Sequence, residues 1–436
     1  MWNYYFLLGW RSLRRNPILT ALMILILAIG IGTSMTSLTM LLVLSGDPIP
    51  QKSERLFVPK FHIADMRGYK AGDKPDFQFT YIDTKNLLRD KRAKRQTALF
   101  GLSLTVDSGR KDLPAFSERG MATTSDIFPM FDMPFRFGSS WSADADDKAS
   151  NVVVIGPELS EKLFKNENPV GKTIKIIDRD YTISGVLDVW QPTPKFYRLY
   201  GSDATSRPEQ IWLPFTNAVS REFSNSGWNN CSGEGAGSGY EGWLKSECTW
   251  IQYWAELDKA SDAAAYRDYL SAYVAEQKKL GRMPRPEPFQ LLSLREWLED
   301  AGVVGRDTKL STWMAFGFLM VCLVNLVALM LAKFTARAGD IGVRRALGAS
   351  RKEIFRQYLI EAGVVGLVGA ILGLGLSWYG VHIISSRLAE ADDFYRMDFR
   401  MLLITLLMSI SAALLAGLLP TWRACQVRPA IQLKSQ

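Results

Sequence analysis

Residues 17–44 run for 28 positions without a charged side chain. As one helix at 1.5 Å per residue they reach roughly 42 Å, more than the ~30 Å of a bilayer's hydrocarbon core. Such a helix tilts or projects beyond the membrane. Three more apolar runs follow much later, at 312–332, 359–386 and 401–420. Backbone inside lipid has to satisfy its own hydrogen bonds, so each run reads as a transmembrane helix, TM1 to TM4. A signal peptide competes for the first run, but the run is too long for such a segment and no A-x-A-like site ends it. Gly30, Gly32, Ser34 and Ser37 would let another helix approach TM1 closely. Gly369 and Gly373 place a GxxxG helix-packing pair in the third run.

Charge then sets the topology. The stretch 1–16 mixes Trp2, Tyr4, Tyr5, Phe6 and Trp10 with Arg11, Arg14 and Arg15, which suits an interfacial amphipathic helix. From Lys333 to Arg356 there are seven basic and two acidic residues, and the tail 421–436 has three basic and none acidic. The formal net charge of +8 is therefore concentrated beside apolar runs. That pattern marks the cytoplasmic side of a membrane and gives no sign of a nucleic-acid binder. The loop 387–400 carries three basic and four acidic residues, consistent with the outside. Both termini are then cytoplasmic, and 45–311 is extracytoplasmic.

That middle segment has mixed strand and helix signals. Leu56–Phe61, Leu99–Val106, Glu209–Phe215, Thr249–Leu257 and Phe289–Leu294 read as strands. Tyr81–Ala93 and Asp262–Leu280 read as helices, the latter with Ser261 as its cap. Asn151–Phe164 reads as a buried strand, a Gly156-Pro157 turn and a short helix. Gly171–Val189 reads as a hairpin turning at Asp178-Arg179-Asp180. Phe223–Trp243, rich in Gly, Ser and Asn, reads as a loop. Of four cysteines, Cys231 and Cys248 lie in this middle, where an oxidising compartment would let them pair; two free thiols are the alternative.

Sites for chemistry are few. Val170–Thr173 ends like a phosphate-binding loop, but Asn166 stands where the motif needs Gly, and Gly171 leads into a strand. Gly237, Gly239 and Gly242 spell GxGxxG with no buried strand ahead of them. The two histidines, His62 and His382, are far apart, and neither a zinc spacing nor a GxSxG elbow occurs. The expectation is a non-catalytic chain with no cofactor and no metal of its own.

The segment between the second and third runs is the most specific. Asp340–Ala362 reads as helix, tight turn at Gly348 and Ser350, then helix, lying on the membrane surface before entering it. Gly342, Arg344, Arg345, Ala346, Leu347, Gly348, Ala349, Arg351, Ile354, Gln357, Leu359 and Glu361 follow the loop motif of MacB/FtsX-type ABC transporter permeases, the mechanotransmission (type VII) family. Asp340 stands where that motif has Glu. Leu163, Phe164, Pro169–Lys172, Ile174, Ile176, Tyr181, Ile183, Gly185 and Val186 resemble the family's periplasmic core domain. Arg423, Ala424, Val427, Pro429, Ala430 and Leu433 resemble its C-terminal ending.

The resemblance implies a bacterial inner-membrane permease with four spans and a two-lobed periplasmic α+β domain, the inserted lobe at about 123–248. It implies that ATP and Mg sit on a separate ATPase dimer and that MacB's fused ATPase domain is absent from this chain. Ile341, Gly342, Val343, Arg344, Arg345, Leu347, Gly348, Arg351 and Ile354 would form the ATPase-coupling loop, with Ile341, Val343, Leu347 and Ile354 as its apolar contacts. Arginines that hold only lipid headgroups are the bland alternative. Glu361 is an ionisable residue at the edge of a span, expected to pair with Arg344, Arg345 or Arg351. Expected partners are a second permease (itself or a paralogue), a periplasmic adaptor, an outer-membrane exit duct and membrane lipid. Efflux of a peptide, antibiotic or lipid-like molecule is the leading function. Lipoprotein extraction of the LolC/LolE kind and FtsX-like or peptide-sensing signalling are the alternatives. FtsX has a much smaller exported domain.

Overall fold

In a computed structural model the protein is described over residues 16–165, 167–199, 204, 206–231, 237–337, 339, 343–344 and 347–388, and at 403–404, 407–408, 410–411, 414–415, 417–418 and 422. The amphipathic stretch expected at 1–16 and the loop and tail expected at 387–400 and 421–436 lie almost wholly outside these residues. The chain divides into two compact units, Gly46–Val303 and the rest.

In the second of these, three helices among the described residues are long and apolar enough to cross a membrane. Pro17–Leu44 starts with Pro at its first turn, where the missing N–H costs nothing. Arg306–Thr335 starts six residues before the apolar run, because apolarity marks the lipid-facing part of a helix and not its end. The third helix, Arg351–Leu388, starts eight residues before the apolar run for a local reason. Ser350 Oγ accepts the Glu353 N–H (3.2 Å), and Glu353 Oε2 accepts the Ser350 N–H (3.0 Å), a reciprocal capping box. The helix expected to follow the turn and enter the membrane is therefore continuous with the third span, 38 residues in all and roughly 57 Å long. The described residues between 403 and 422 are helical.

Gly46–Val303 is built on one eleven-stranded mixed sheet. Its strands are β1 (Leu56–Lys60), β2 (Gln78–Phe79), β3 (Arg95–Asp107), β4 (Phe116–Thr123), β5 (Phe135–Gly138), β6 (Val152–Ile155), β7 (Thr173–Ile176), β8 (Arg179–Leu187), β9 (Ile211–Pro214), β12 (Ile251–Glu256) and β13 (Gln290–Ser293). The order is β13-β1-β12-β3-β4-β9-β6-β8-β5, with β2 on β12 and β7 on β3 and β8. β4–β9 and β6–β8 pair in parallel. Strands β5 to β9, inside the region expected as an inserted lobe, continue the same sheet as the strands flanking it.

Both faces are buried, and the two-residue period of a strand sorts the side chains between them. Val153, Ile155, Ile211 and Leu213 enter one cluster, while Val154 and Trp212 enter the other. The segment around Phe196–Tyr197 closes the Trp212 face, where the Trp254 and Trp297 indoles donate to the carbonyls of Tyr197 (3.2 Å) and Phe196 (2.9 Å).

Three local readings differ from the sequence expectation. Asp262, and not Ser261, organises the helix start: its carboxylate accepts the Lys259 N–H in a 3-10 turn before Ala263–Lys279. The β7–β8 hairpin turns at Ile177-Asp178, because Ile176 pairs with Arg179 and so leaves two residues for the loop. The expected loop 223–243 contains the short strand β10 (Asn230–Cys231) and the start of the helix Gly239–Leu244. β10 pairs with β11 (Cys248–Thr249).

A buried carboxylate fixes the 190–210 segment. Glu209 accepts from Lys195 Nζ (2.8 Å) and the Tyr197 hydroxyl (2.8 Å), and Arg198 Nη1 lies 3.4 Å away. Burial alone would raise the Glu209 pKa, but Lys195 and Arg198 outweigh it and hold the carboxyl below its ordinary 4.5. The stabilisation is complete above the unfolded value and is lost as pH falls from there through the folded one. Glu209→Gln leaves Lys195 buried without its counter-charge and is expected to cost about 3–5 kcal/mol. Chemical denaturation of the detergent-solubilised chain, followed by tryptophan fluorescence, checks this. The deficit should shrink when both proteins are compared below pH 4.5.

Candidate functional site

The helix Arg306–Thr335 ends with the Ala336 N–H bonded to the Ala332 carbonyl. A short basic connection leads from there to Ser350. Val343 and Leu347 are 52% and 82% exposed, and Arg344 beside them is exposed. The Leu347 N–H donates to the Val343 carbonyl (3.0 Å) and the Ala349 N–H to the Arg344 carbonyl (3.0 Å). Gly348 then takes φ +99°, a value that a side chain would strain, and reverses the chain. Arg344 Nη1 bonds Gln357 Oε1 (3.1 Å), tying the turn back to the long helix.

The described part of the expected coupling loop thus presents Val343, Arg344, Leu347 and Arg351 outward. Ile354 differs: it is 4% exposed and packs inward with Phe334 and Tyr358, so it adds nothing to the exposed face. Ile341, Gly342 and Arg345 lie outside the described residues.

Glu361 is 3% exposed, and the partners described for it are not those expected from sequence. Lys333 Nζ lies 2.5 Å and Arg337 Nη1 3.6 Å from Glu361 Oε1. Both cations stand at the far end of the preceding helix. Lys333 closes an apolar run as Glu361 opens the next one, and that matched position was the signal available in the sequence.

The GxxxG pair faces the first helix. A Cβ on Gly369 would lie 2.7 Å from Leu27 Cδ2, and one on Gly373 2.9 Å from Ile31 Cγ2. Gly32 returns the favour towards Leu376 (2.9 Å), and Thr36 Oγ1 reaches the Ser377 carbonyl (3.5 Å). On the other flank, Ser34 Oγ donates to the Ala315 carbonyl (2.9 Å). Small residues let the helices approach, and hydroxyls bond across the joint.

In the unit Gly46–Val303, Cys231 and Cys248 are joined in a disulfide. Glu247 next to it pairs with Arg282, whose Nη2 also reaches Asp83 (2.7 Å). Among the described residues no group of His, Cys, Asp and Glu is placed to hold a metal ion.

Apolar helices joined by a basic turn, with a large α/β unit inserted after the first helix, define a transmembrane permease class. A family model of the MacB-like periplasmic core domain matches residues 20–273, and one of the FtsX-like permease C-terminal region matches 313–429. The chain belongs to the MacB/FtsX-like family of ABC transporter permeases.

It is similar to the macrolide export ATP-binding/permease protein MacB of Salmonella paratyphi A, at 23% identity over 97% of this chain and 59% of that protein. MacB of Shigella boydii is 24% identical with the same coverage. MacB of Chlorobium luteolum is 22% identical over 85% of this chain and 50% of that protein. The chain thus spans between half and three fifths of these relatives. The periplasmic region of MacB from Actinobacillus actinomycetemcomitans aligns with a TM-score of 0.36 and 14% identity, covering 56% of this chain and 92% of that one. The extracellular domain of the noncanonic ABC-type transporter YknZ from Gram-positive bacteria aligns at 0.35 and 13%, covering 54% and 99%.

Gly373→Leu forces a branched side chain onto Ile31 and the Ala28 carbonyl. A loss of about 1–3 kcal/mol is expected from such overpacking. It should appear as a lower melting temperature in detergent, whereas Gly375→Leu, with nothing near its Cβ, should melt as the unmutated protein does.

Proposed function

We propose that this chain is the permease of an ABC exporter in which ATP hydrolysis, on a domain outside residues 1–436, drives movement of the periplasmic domain. No complete nucleotide-binding loop occurs in this sequence, so ATP and Mg belong to the ATPase. The observation that carries the reading is the unbroken helix Arg351–Leu388. It begins beside the exposed Leu347 turn and continues into the span without a proline or a break, so a push on the turn reaches the span as rigid-body motion.

The finer layout follows from the same reading. Residues 401–420 are the fourth span, and Gly417, whose Cβ would meet Ala362 at 2.5 Å, is its packing point on the third. The basic segments face the cytoplasm of a bacterial inner membrane, with both termini inside. The periplasmic unit has two lobes that share the long strands β3 and β4. Two permeases assemble with the ATPase, and an adaptor and an outer-membrane duct carry the cargo onward. Four spans leave little room for an aqueous channel, so the cargo is taken from the periplasm and expelled by mechanotransmission. The relatives are named for macrolide export. For this chain the substrate class is a peptide, an antibiotic or a lipid-like molecule.

Co-purification in detergent tests the docking step. An ATPase should come down with the unmutated chain and be lost with Arg344→Glu plus Leu347→Asp, while the elution profile of the membrane protein stays the same. Retention of the ATPase by the double variant would move the docking surface elsewhere. Failure of any ATPase to bind the unmutated chain would overturn the reading.

A further inference from the structure

Two apolar stripes enter one buried cluster with the first helix near the basic end of the helices. On Arg306–Thr335 the stripe is Leu326, Met330 and Phe334; on Arg351–Leu388 it is Ile354, Tyr358, Ala362 and Val365. The Phe334 and Tyr358 rings lie 4.4 Å apart. Apolar contact of this kind holds two helices together but is non-directional, so it resists sliding and rotation weakly. Beside these rings, among the described residues, stand Lys333 and Glu361, both almost fully buried and 2.5 Å apart. A buried ion pair differs from the surrounding packing in one respect: its attraction is directional and steep with distance, and charges moved apart there do not regain water. It therefore tolerates little displacement, and it sits where displacement would begin, just above the turn that carries Val343 and Leu347.

We propose that Lys333 and Glu361 form a positioning pair that locks the end of the second helix to the third, so that both spans move as one lever when the turn between them is pushed. This rests on the coupling reading above. Arg337, 3.6 Å from the same carboxylate oxygen, is the outer member of the lock. Without the lock, a push on the turn would be absorbed at the joint between the helices, and the periplasmic domain would be driven less far for each ATP.

The test uses the full chain in lipid nanodiscs, with its ATPase, in a background with Cys322 and Cys425 replaced by Ser. Spin labels at Leu310 and Lys352, both exposed, report axial sliding of one helix against the other. The unmutated chain should give one narrow distance. Glu361→Gln should broaden it, and the charge-swapped Lys333→Glu/Glu361→Lys, made together with Arg337→Gln so that no like charge faces position 361, should restore it. Hydrolysis stimulated by the permease should fall about tenfold in Glu361→Gln and recover to within about threefold in the swap, with ATPase binding unchanged in both.

A narrow distance and undiminished stimulation in Glu361→Gln would overturn the proposal. So would a swapped protein that behaves like Glu361→Gln, because the lock depends on the charges meeting and not on which helix bears which. If neither variant accumulates in the membrane, the pair serves folding and the positioning role is lost. The distance measurement needs no ATPase. Should no ATPase bind the unmutated chain, the coupling reading fails separately while the labels still decide whether the helices are tied.

Discussion

A backbone that crosses lipid has no water to bond to, and the rest of this membrane unit follows from that constraint. It enforces helices, and it removes the ordinary hydrophobic drive for helices to associate, since lipid tails are as apolar as leucine. Association must then come from close approach and from polar contacts. Gly32, Gly369 and Gly373 supply the first, and the hydroxyls of Ser34 and Thr36 the second. The same absence of water makes Lys333 and Glu361 tolerable only together. The joint between the second and third helices thus carries a directional contact, and it borders the turn that exposes Leu347.

Gly46–Val303 obeys a different solvent and a different rule. Water is available at its surface, so the sheet is specified by which residues leave it. Strand alternation places Trp212 and Val154 on one face and their sequence neighbours on the other, and helices or covering segments close both. Where a polar group is trapped under such cover, it is answered. Glu209 finds Lys195, Tyr197 and Arg198, and Asp83 finds Arg282, Thr80 and Tyr273. These clusters pin segments that have little regular structure of their own.

Some elements were legible at single-residue precision because the signal is local. Pro17–Leu44 is bounded by Pro at one side and by the end of the apolar run at the other. The strand Val152–Ile155 and the helix Pro157–Phe164 are separated by Gly156 alone, which caps the helix, with Pro157 at its first position. The start of the third helix was legible from the break at Gly348 and Ser350, and the Ser350 and Glu353 spacing is its cap signal; apolarity alone marks only the span, from 359. Ile354 was placed among the docking residues because it is apolar and near arginines. Its inward direction depends on the phase of a helix that also had to be known to run on from 351.

The amino-acid sequence by itself determined that this chain has helices apolar enough to cross a membrane and that a folded domain interrupts them. Each is a property of composition along the chain, set by transfer between water and lipid, and needs no knowledge of neighbours. The tertiary structure decided which charges meet, which side chains of the basic turn are exposed, and how eleven strands order themselves in one sheet. Those depend on contacts between residues far apart in sequence: Glu361 with Lys333 across the turn, Glu209 with Lys195 under a covering segment, β4 beside β9. A pairwise contact has no signature in either partner alone, so it becomes visible only once the helices and strands have been placed.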